Sequence, residues 1–135
     1  MKKLNLILVY NKEKDKILMC KREKEPYKGK FNLVGGKVEQ NENELQAAYR
    51  ELLEETGITN EDISLTHIMN FQYIIWDLEL EVYAGKLNKD VELIEEVNKL
   101  YWMDIKENFF DKDKFAGEGN IGHMVESTNI MKSDI

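Results

Sequence analysis

Residues 36–58 read GKVEQNENELQAAYRELLEETGI, and the fold is decided here. The spacing predicts a helix from about Glu44 to Thr56. Asn43 precedes it as an N-cap with Gln46 three residues on as a capping-box partner, and Gly57 follows as the C′ residue. Glu51, Glu54 and Glu55 stand at i, i+3 and i+4, so at about 100° per residue they share one helix face, with Glu44 earlier on the same side. Leu45, Ala48, Tyr49, Leu52 and Leu53 form a separate apolar stripe expected to face the core. Three carboxylates on one face repel one another by a few tenths of a kcal/mol per pair. Arg50 can offset part of this by reaching Glu54, and a metal ion would offset more. On spacing alone, a solvated face of an acidic helix is the favoured reading over a metal site.

Outward from the helix, the chain reads as strands. Leu4–Tyr10 and Ile17–Arg22 make a hairpin around the charged turn Asn11–Lys16, and Phe31–Val34 is a short strand ending at Gly35-Gly36. Ser64–Ile75 and Leu78–Leu87 are two long strands with a turn near Trp76-Asp77. The second alternates, with Leu78, Leu80, Val82 and Ala84 against Asp77, Glu79, Glu81 and Tyr83. Lys99–Asp104 is a further strand, Ile105–Phe110 begins a short helix, and Gly119–Met131 holds a last one. Strands around one strong helix, with another late, predict an α+β fold with helices on the faces of a mixed sheet.

The 135 residues fit a single domain, 1–135. A net charge of −7 argues against a partner that is a nucleic acid polymer, whose phosphates demand excess Lys and Arg. It leaves room for a small phosphorylated ligand bridged by metal. The single cysteine, Cys20, excludes an internal disulfide and reads as a buried small hydrophobe. The apolar run near the N-terminus is short and is followed by charged residues, and no stretch approaches the roughly 20 apolar residues that span a bilayer. A cytoplasmic protein without a membrane partner is expected; oligomeric state is not readable.

The wider pattern decides what the acidic face is for. Gly36, Glu42, Arg50, Glu51, Leu52, Glu54, Glu55, Gly57 and Ile58 satisfy every defined position of the motif G-x5-E-x7-R-E-U-x-E-E-x-G-U, where U is a bulky aliphatic residue. With common residues at about 7% each, such a match arises by chance on the order of once in a billion windows. The chain therefore resembles the Nudix (MutT-like) hydrolases. The resemblance implies a Nudix-type mixed sheet sandwiched between helices, and Mg²⁺- or Mn²⁺-dependent cleavage of a phosphoric anhydride. It implies Glu54 and Glu55 as metal ligands, Glu51 as a further ligand, and a general base left open between Glu51 and Glu54. Arg50 is implied to orient the carboxylates, Glu42 to support the loop, and Gly36 to bring the backbone to the metal. Some relatives add a metal-binding carboxylate about six residues before a late-strand Trp. Here that points from Trp102 to Glu96, with Glu95 as substitute and a plain surface pair as the alternative.

Substrate choice lies outside the motif. The approach Lys30–Val38 resembles that of oxidised-purine triphosphatases, in which the residue at the position of Asn32 reads the purine edge; satisfaction of strand-end backbone groups is the alternative. Glu118 and Asn120 fall where such members contact the base, with Phe115 to stack on it. Tyr27, Phe71, Tyr73, Trp76 and Trp102 are further aromatic candidates, though large aromatics in small domains are mostly core. The absence of a proline after Pro26 speaks against an ADP-ribose-type member, and Tyr73 resembles a tyrosine of diadenosine polyphosphate hydrolases. The expectation is hydrolysis of a nucleoside triphosphate such as 8-oxo-dGTP to monophosphate and pyrophosphate. The alternatives are cleavage of another nucleoside diphosphate derivative or a non-catalytic nucleotide sensor, which the intact motif disfavours.

Overall fold

A computed structural model describes residues 1–135. Six strands form one mixed sheet: β1 (Lys2–Tyr10), β2 (Lys16–Lys21), β3 (Phe31–Leu33), β4 (Thr66–Tyr73), β5 (Leu78–Lys86) and β6 (Leu100–Asp104). The main order is β3-β2-β1-β5-β4, and β6 pairs with β2. All neighbours are antiparallel except β1 and β5, which run parallel in register from Lys2↔Leu78 to Tyr10↔Lys86. After β3 the chain crosses to β1, where Val34 bridges Ile7 and Lys37 bridges Leu4. That crossing carries Gly35 and Gly36 to the edge of the acidic helix.

Two helices cover the two faces. Helix α1 (Glu44–Thr56) lies over Ile7, Val9, Leu18, Val34 and Tyr83, and α2 (Asn120–Met131) over Leu8, Met19, Leu33, Val82 and Ala84. The bounds of α1 agree with the sequence because its caps are local. Asn43 Oδ1 accepts from Leu45 N and Gln46 N, and Gly57 closes the last turn at φ 79° with its N–H on Leu53 O. The Gln46 side chain takes no part, so only half of the capping box forms.

Three expectations need correction. The buried stripe of α1 is Ala47, Ala48, Leu52 and Thr56, whereas Leu45 and Leu53 are exposed. A helix lying on a single sheet buries a narrower arc than two flanking layers would. Residues 105–110 form turns instead of a helix, because the Asp104, Asn108 and Asp111 side chains each take the amide two residues on. Such local acceptors compete with the helical ladder. The alternation of β5 does not alternate burial, since Glu81 and Tyr83 are covered by α1. In addition, β4 ends at Tyr73 and passes into a 3-10 turn, Ile74–Trp76, closed by Asp77 at φ 50°.

Candidate active site

The acidic face is organised by one guanidinium. Arg50 grips Glu42 with two bonds, Nε to Oε2 at 2.6 Å and Nη2 to Oε1 at 2.9 Å. Its Nη1 reaches Glu51 Oε1 and Glu54 Oε2, both at 3.1 Å, and Nη2 also donates to Lys37 O at 3.0 Å. The expected Arg50–Glu54 pair thus belongs to a larger hub that ties the helix to the loop before it. Glu42 is further fixed by Glu39 N at 3.0 Å, and these bonds hold its carboxyl below the usual carboxylate range, Arg50 contributing most. Glu44 points elsewhere, to Lys3 Nζ at 2.6 Å.

Glycine makes the approach possible. A Cβ on Gly36 would fall 2.3 Å from Glu51 Oε2, so the backbone and that carboxylate are in direct contact. Gly35, at φ 152°, passes so close to Asn5 that a Cβ would sit 2.1 Å from its carbonyl oxygen. Gly35 N donates to Glu55 Oε2 at 3.0 Å, and Asn5 Oδ1 accepts from Gly36 N at 2.9 Å. Burial pushes the Glu55 carboxyl up to about 7; the Gly35 amide opposes this, and Glu51 and Glu54 reinforce it. Burial likewise raises Glu51 against the opposing pull of Arg50.

These residues fit a hard divalent cation. Glu51, Glu54 and Glu55 offer only oxygen, and the Gly36 backbone lies directly against the Glu51 carboxylate. The Gly36 oxygen accepts from Asn5 N at 2.8 Å and keeps a second lone pair. The burial that raises Glu51 and Glu55 favours a neutralising partner beside them. No three His, Cys, Asp or Glu side chains close into a ready cage, since Glu51 and Glu54 turn an oxygen to Arg50 and Glu55 turns one to Gly35.

The remaining candidates are scattered. Glu96 lies exposed in the segment leading to β6, which passes the end of α1: Ile94 N donates to Thr56 O at 2.9 Å and Ile94 would be the first contact of a Cβ on Gly57. Glu95 is engaged locally by Leu100 N at 2.7 Å, leaving Glu96 the freer of the two. Asn32 pairs with Cys20, so it belongs to the α1 face, and its Oδ1 takes Leu33 N at 2.8 Å. Glu118 and Asn120 lie at the start of α2 and contact other residues. Glu118 accepts from Tyr27 OH at 3.2 Å, and Asn120 Nδ2 donates to Tyr73 OH. Asn32 thus stands on the α1 face of the sheet, while Glu118 and Asn120 lie at the start of α2. Phe115 is 1% exposed in the core under α2 and cannot stack on a ligand. Trp102 packs on the α1 side, away from that loop.

The sequence missed two features. Tyr73 and Trp76 stack at 5.4 Å and 20°, placing an exposed indole beside Asn120's partner. Asn5 braces both glycines, and the signal for it was a polar residue at an inward position in Leu4–Ile7. Cys20 is inert as expected, its thiol raised to about 11 by burial. No helix is long and apolar enough to cross a membrane.

This arrangement, an acidic helix braced by an Arg hub against a double-glycine loop, is that of one family. The NUDIX domain profile matches residues 3–121, and the chain belongs to the Nudix family, whose members typically depend on a divalent metal. Among its relatives is the ADP-ribose pyrophosphatase of Methanocaldococcus jannaschii, 35% identical over 96 residues, 62% of this chain. The match covers 57% of that relative, so the chain spans little more than half its length. The structure of a Caenorhabditis elegans Ap4A hydrolase binary complex superposes with TM-score 0.76 at 20% identity, covering 98% of this chain and 99% of that one. The MutT protein of Methanosarcina mazei Go1 gives 0.70 at 23% identity over 95% and 94%. These likenesses show the α+β Nudix fold, a mixed sheet with two helices.

Proposed function

We propose that the chain is a pyrophosphohydrolase that cleaves the phosphoanhydride of a small nucleotide. The observation that carries this reading is the intact hub in which Arg50 orders Glu42, Glu51 and Glu54 beside the Gly35–Gly36 backbone. Glu51, Glu54, Glu55 and the Gly36 carbonyl would hold Mg²⁺ or Mn²⁺, with Glu96 an additional carboxylate from the neighbouring segment. Bound there, the metal supplies charge neutralisation of the diphosphate and eases the deprotonation of water. The chain's own residues do the rest. Arg50 keeps the carboxylates from splaying under mutual repulsion, Gly36 admits the Glu51 carboxylate, and Glu51 or Glu54 accepts the proton of the attacking water. Glu55 is the poorer base, because one of its oxygens is held by Gly35 N.

For substrate, the reading is a nucleoside triphosphate, with an oxidised purine such as 8-oxo-dGTP foremost, cleaved to monophosphate and pyrophosphate. Its support is Glu118 and Asn120 at the turn into α2 beside the Tyr73–Trp76 stack, a carboxylate and an amide next to exposed aromatic surface. Asn32 retains a free amide donor from the other face. A second reading, cleavage of another nucleoside diphosphate derivative, is favoured by the likeness to the Methanocaldococcus ADP-ribose pyrophosphatase. Turnover of 8-oxo-dGTP, dGTP, dCTP, ADP-ribose and diadenosine tetraphosphate with Mg²⁺ separates them. Preference for the triphosphates with pyrophosphate release supports the first, preference for ADP-ribose the second, and no turnover with any refutes both. A cytoplasmic setting is part of the same proposal.

A further inference from the structure

The loop beside the acidic helix hangs from one residue. Asn5 N donates to Gly36 O at 2.8 Å, while Asn5 Oδ1 accepts from Gly36 N at 2.9 Å. Gly36 abuts the Glu51 carboxylate, and Gly35 holds Glu55. The direction of the Asn5 amide is thus passed through two glycines to two of the three candidate metal-binding carboxylates.

What aims that amide is not obvious from its bonds. Asn5 is buried, yet its Nδ2 has no hydrogen-bond partner. A buried donor left unpaired is costly, so a partner is to be sought nearby. The parallel register sets Glu81 of β5 directly across from Asn5 of β1. Glu81 is 1% exposed, its Oε2 takes Tyr83 OH at 3.3 Å, and its Oε1 is also without a hydrogen bond. One orphan donor and one orphan acceptor therefore stand on adjacent strands at the same level, both beneath α1. The only other buried orphan, the Tyr10 hydroxyl, lies on the opposite face of the sheet. Lys3 Nζ stands 3.9 Å from Glu81 Oε1 but is committed to Glu44 at 2.6 Å, and the Glu44 carboxylate itself lies against Glu81, adding to the burial that raises the Glu81 carboxyl.

We propose that Glu81 and Asn5 act together as positioning residues for hydrolysis: Glu81 Oε1 accepts from Asn5 Nδ2, through a small rotation or one bridging water, and so keeps Asn5 Oδ1 on the Gly36 amide. This rests on the reading of the acidic face as a hydrolytic site. The competing account is that Glu81 serves only its cluster with Glu44 and Lys3 and has no bearing on Gly36.

Isosteric exchanges separate the two. Asn5→Asp keeps Oδ1 and replaces the donor by a second acceptor. Glu81→Gln supplies a donor while retaining an acceptor. Gly36 amide exchange, read by NMR in metal-free protein, is the first readout, and kcat and KM with Mg²⁺ are the second. Asn5→Asp is expected to speed Gly36 exchange roughly tenfold and lower kcat by about the same factor with KM little changed, the size expected for one lost hydrogen bond. Glu81→Gln alone should keep Gly36 protected. The double variant Asn5→Asp/Glu81→Gln should recover most of both losses, because the donor and acceptor have changed places. Failure of the double variant to recover Gly36 protection, or unchanged Gly36 exchange in Asn5→Asp, overturns the pairing. A wild-type protein without turnover overturns the hydrolase reading instead, and the metal-free exchange data still decide whether Asn5 and Glu81 are coupled.

Discussion

Replacing Gly36 by alanine isolates the contact between backbone and carboxylate. The new methyl would lie 2.3 Å from Glu51 Oε2 and 2.4 Å from its Cδ, where ordinary contact begins at 3.4 Å. The Gly36 backbone does not have positive φ, so alanine is tolerated there and the side chain of Glu51 must give way. The carboxylate has to move by roughly 1 Å, and displacements of that size cost on the order of 10²-fold in rate when the group positions the reaction. Moving it also lengthens its 3.1 Å bond to Arg50, so the hub loosens together with the site. Stability should change by less than about 1 kcal/mol, because the gain from a less flexible unfolded chain offsets part of the crowding. Steady-state kcat on the preferred nucleotide at saturating Mg²⁺, beside a thermal melt, measures both. A kcat within threefold of wild type at unchanged Tm would refute the reasoning, since it would mean that the position of Glu51 does not matter.

Glu54→Gln should lower kcat by orders of magnitude while circular dichroism stays unchanged; an unaltered kcat at saturating Mg²⁺ removes Glu54 from the site. Activity should vanish in excess EDTA and return with Mg²⁺ or Mn²⁺, and full activity in EDTA defeats the metal assignment. Metal-free stability should fall as pH rises from about 4.5 to about 7. The folded Glu55 carboxyl, raised to about 7, keeps a proton that the unfolded chain has released, and the loss is at most about 3 kcal/mol. Glu51 and Glu81, also raised, act in the same direction. Mg²⁺, which favours the ionised carboxylates, should flatten the slope, and melts showing no decline across this window in EDTA contradict the burial argument. Trp76→Ala should raise KM for base-bearing substrates with little change in kcat, and an unchanged KM argues against stacking on the exposed indole.

What was legible in the sequence was what is encoded locally. Asn43 and Gly57 set the ends of α1 through their own bonds, and the spacing of Arg50 with Glu51 and Glu54 reappears as direct hydrogen bonds. What was not legible depends on partners distant in sequence. Glu81 reads as a solvent-facing residue of an alternating strand, and only the placement of α1 over β5 buries it. Leu53 reads as core and is 50% exposed, because no second layer meets that side of the helix. Asn32 reads as a residue facing a purine edge, and only its pairing with Cys20 shows that it stands on the α1 face of the sheet. Asx turns after β6 outcompeted a helix that composition alone allowed.

The parallel pairing of β1 with β5 has a consequence for how the molecule is made. Lys2 meets Leu78 and Tyr10 meets Lys86, so β1 must wait for a strand synthesised well after it before its open side is filled. Until then Asn5 lacks its neighbour, and the glycine loop has only half of its support. Closing so long a loop before any reward is gained is slow. A nascent chain halted before β5 would therefore carry the whole acidic motif beside a β1 strand whose parallel edge is still open. The support that β5 gives the glycine loop is in place only once residues 78–86 have been made.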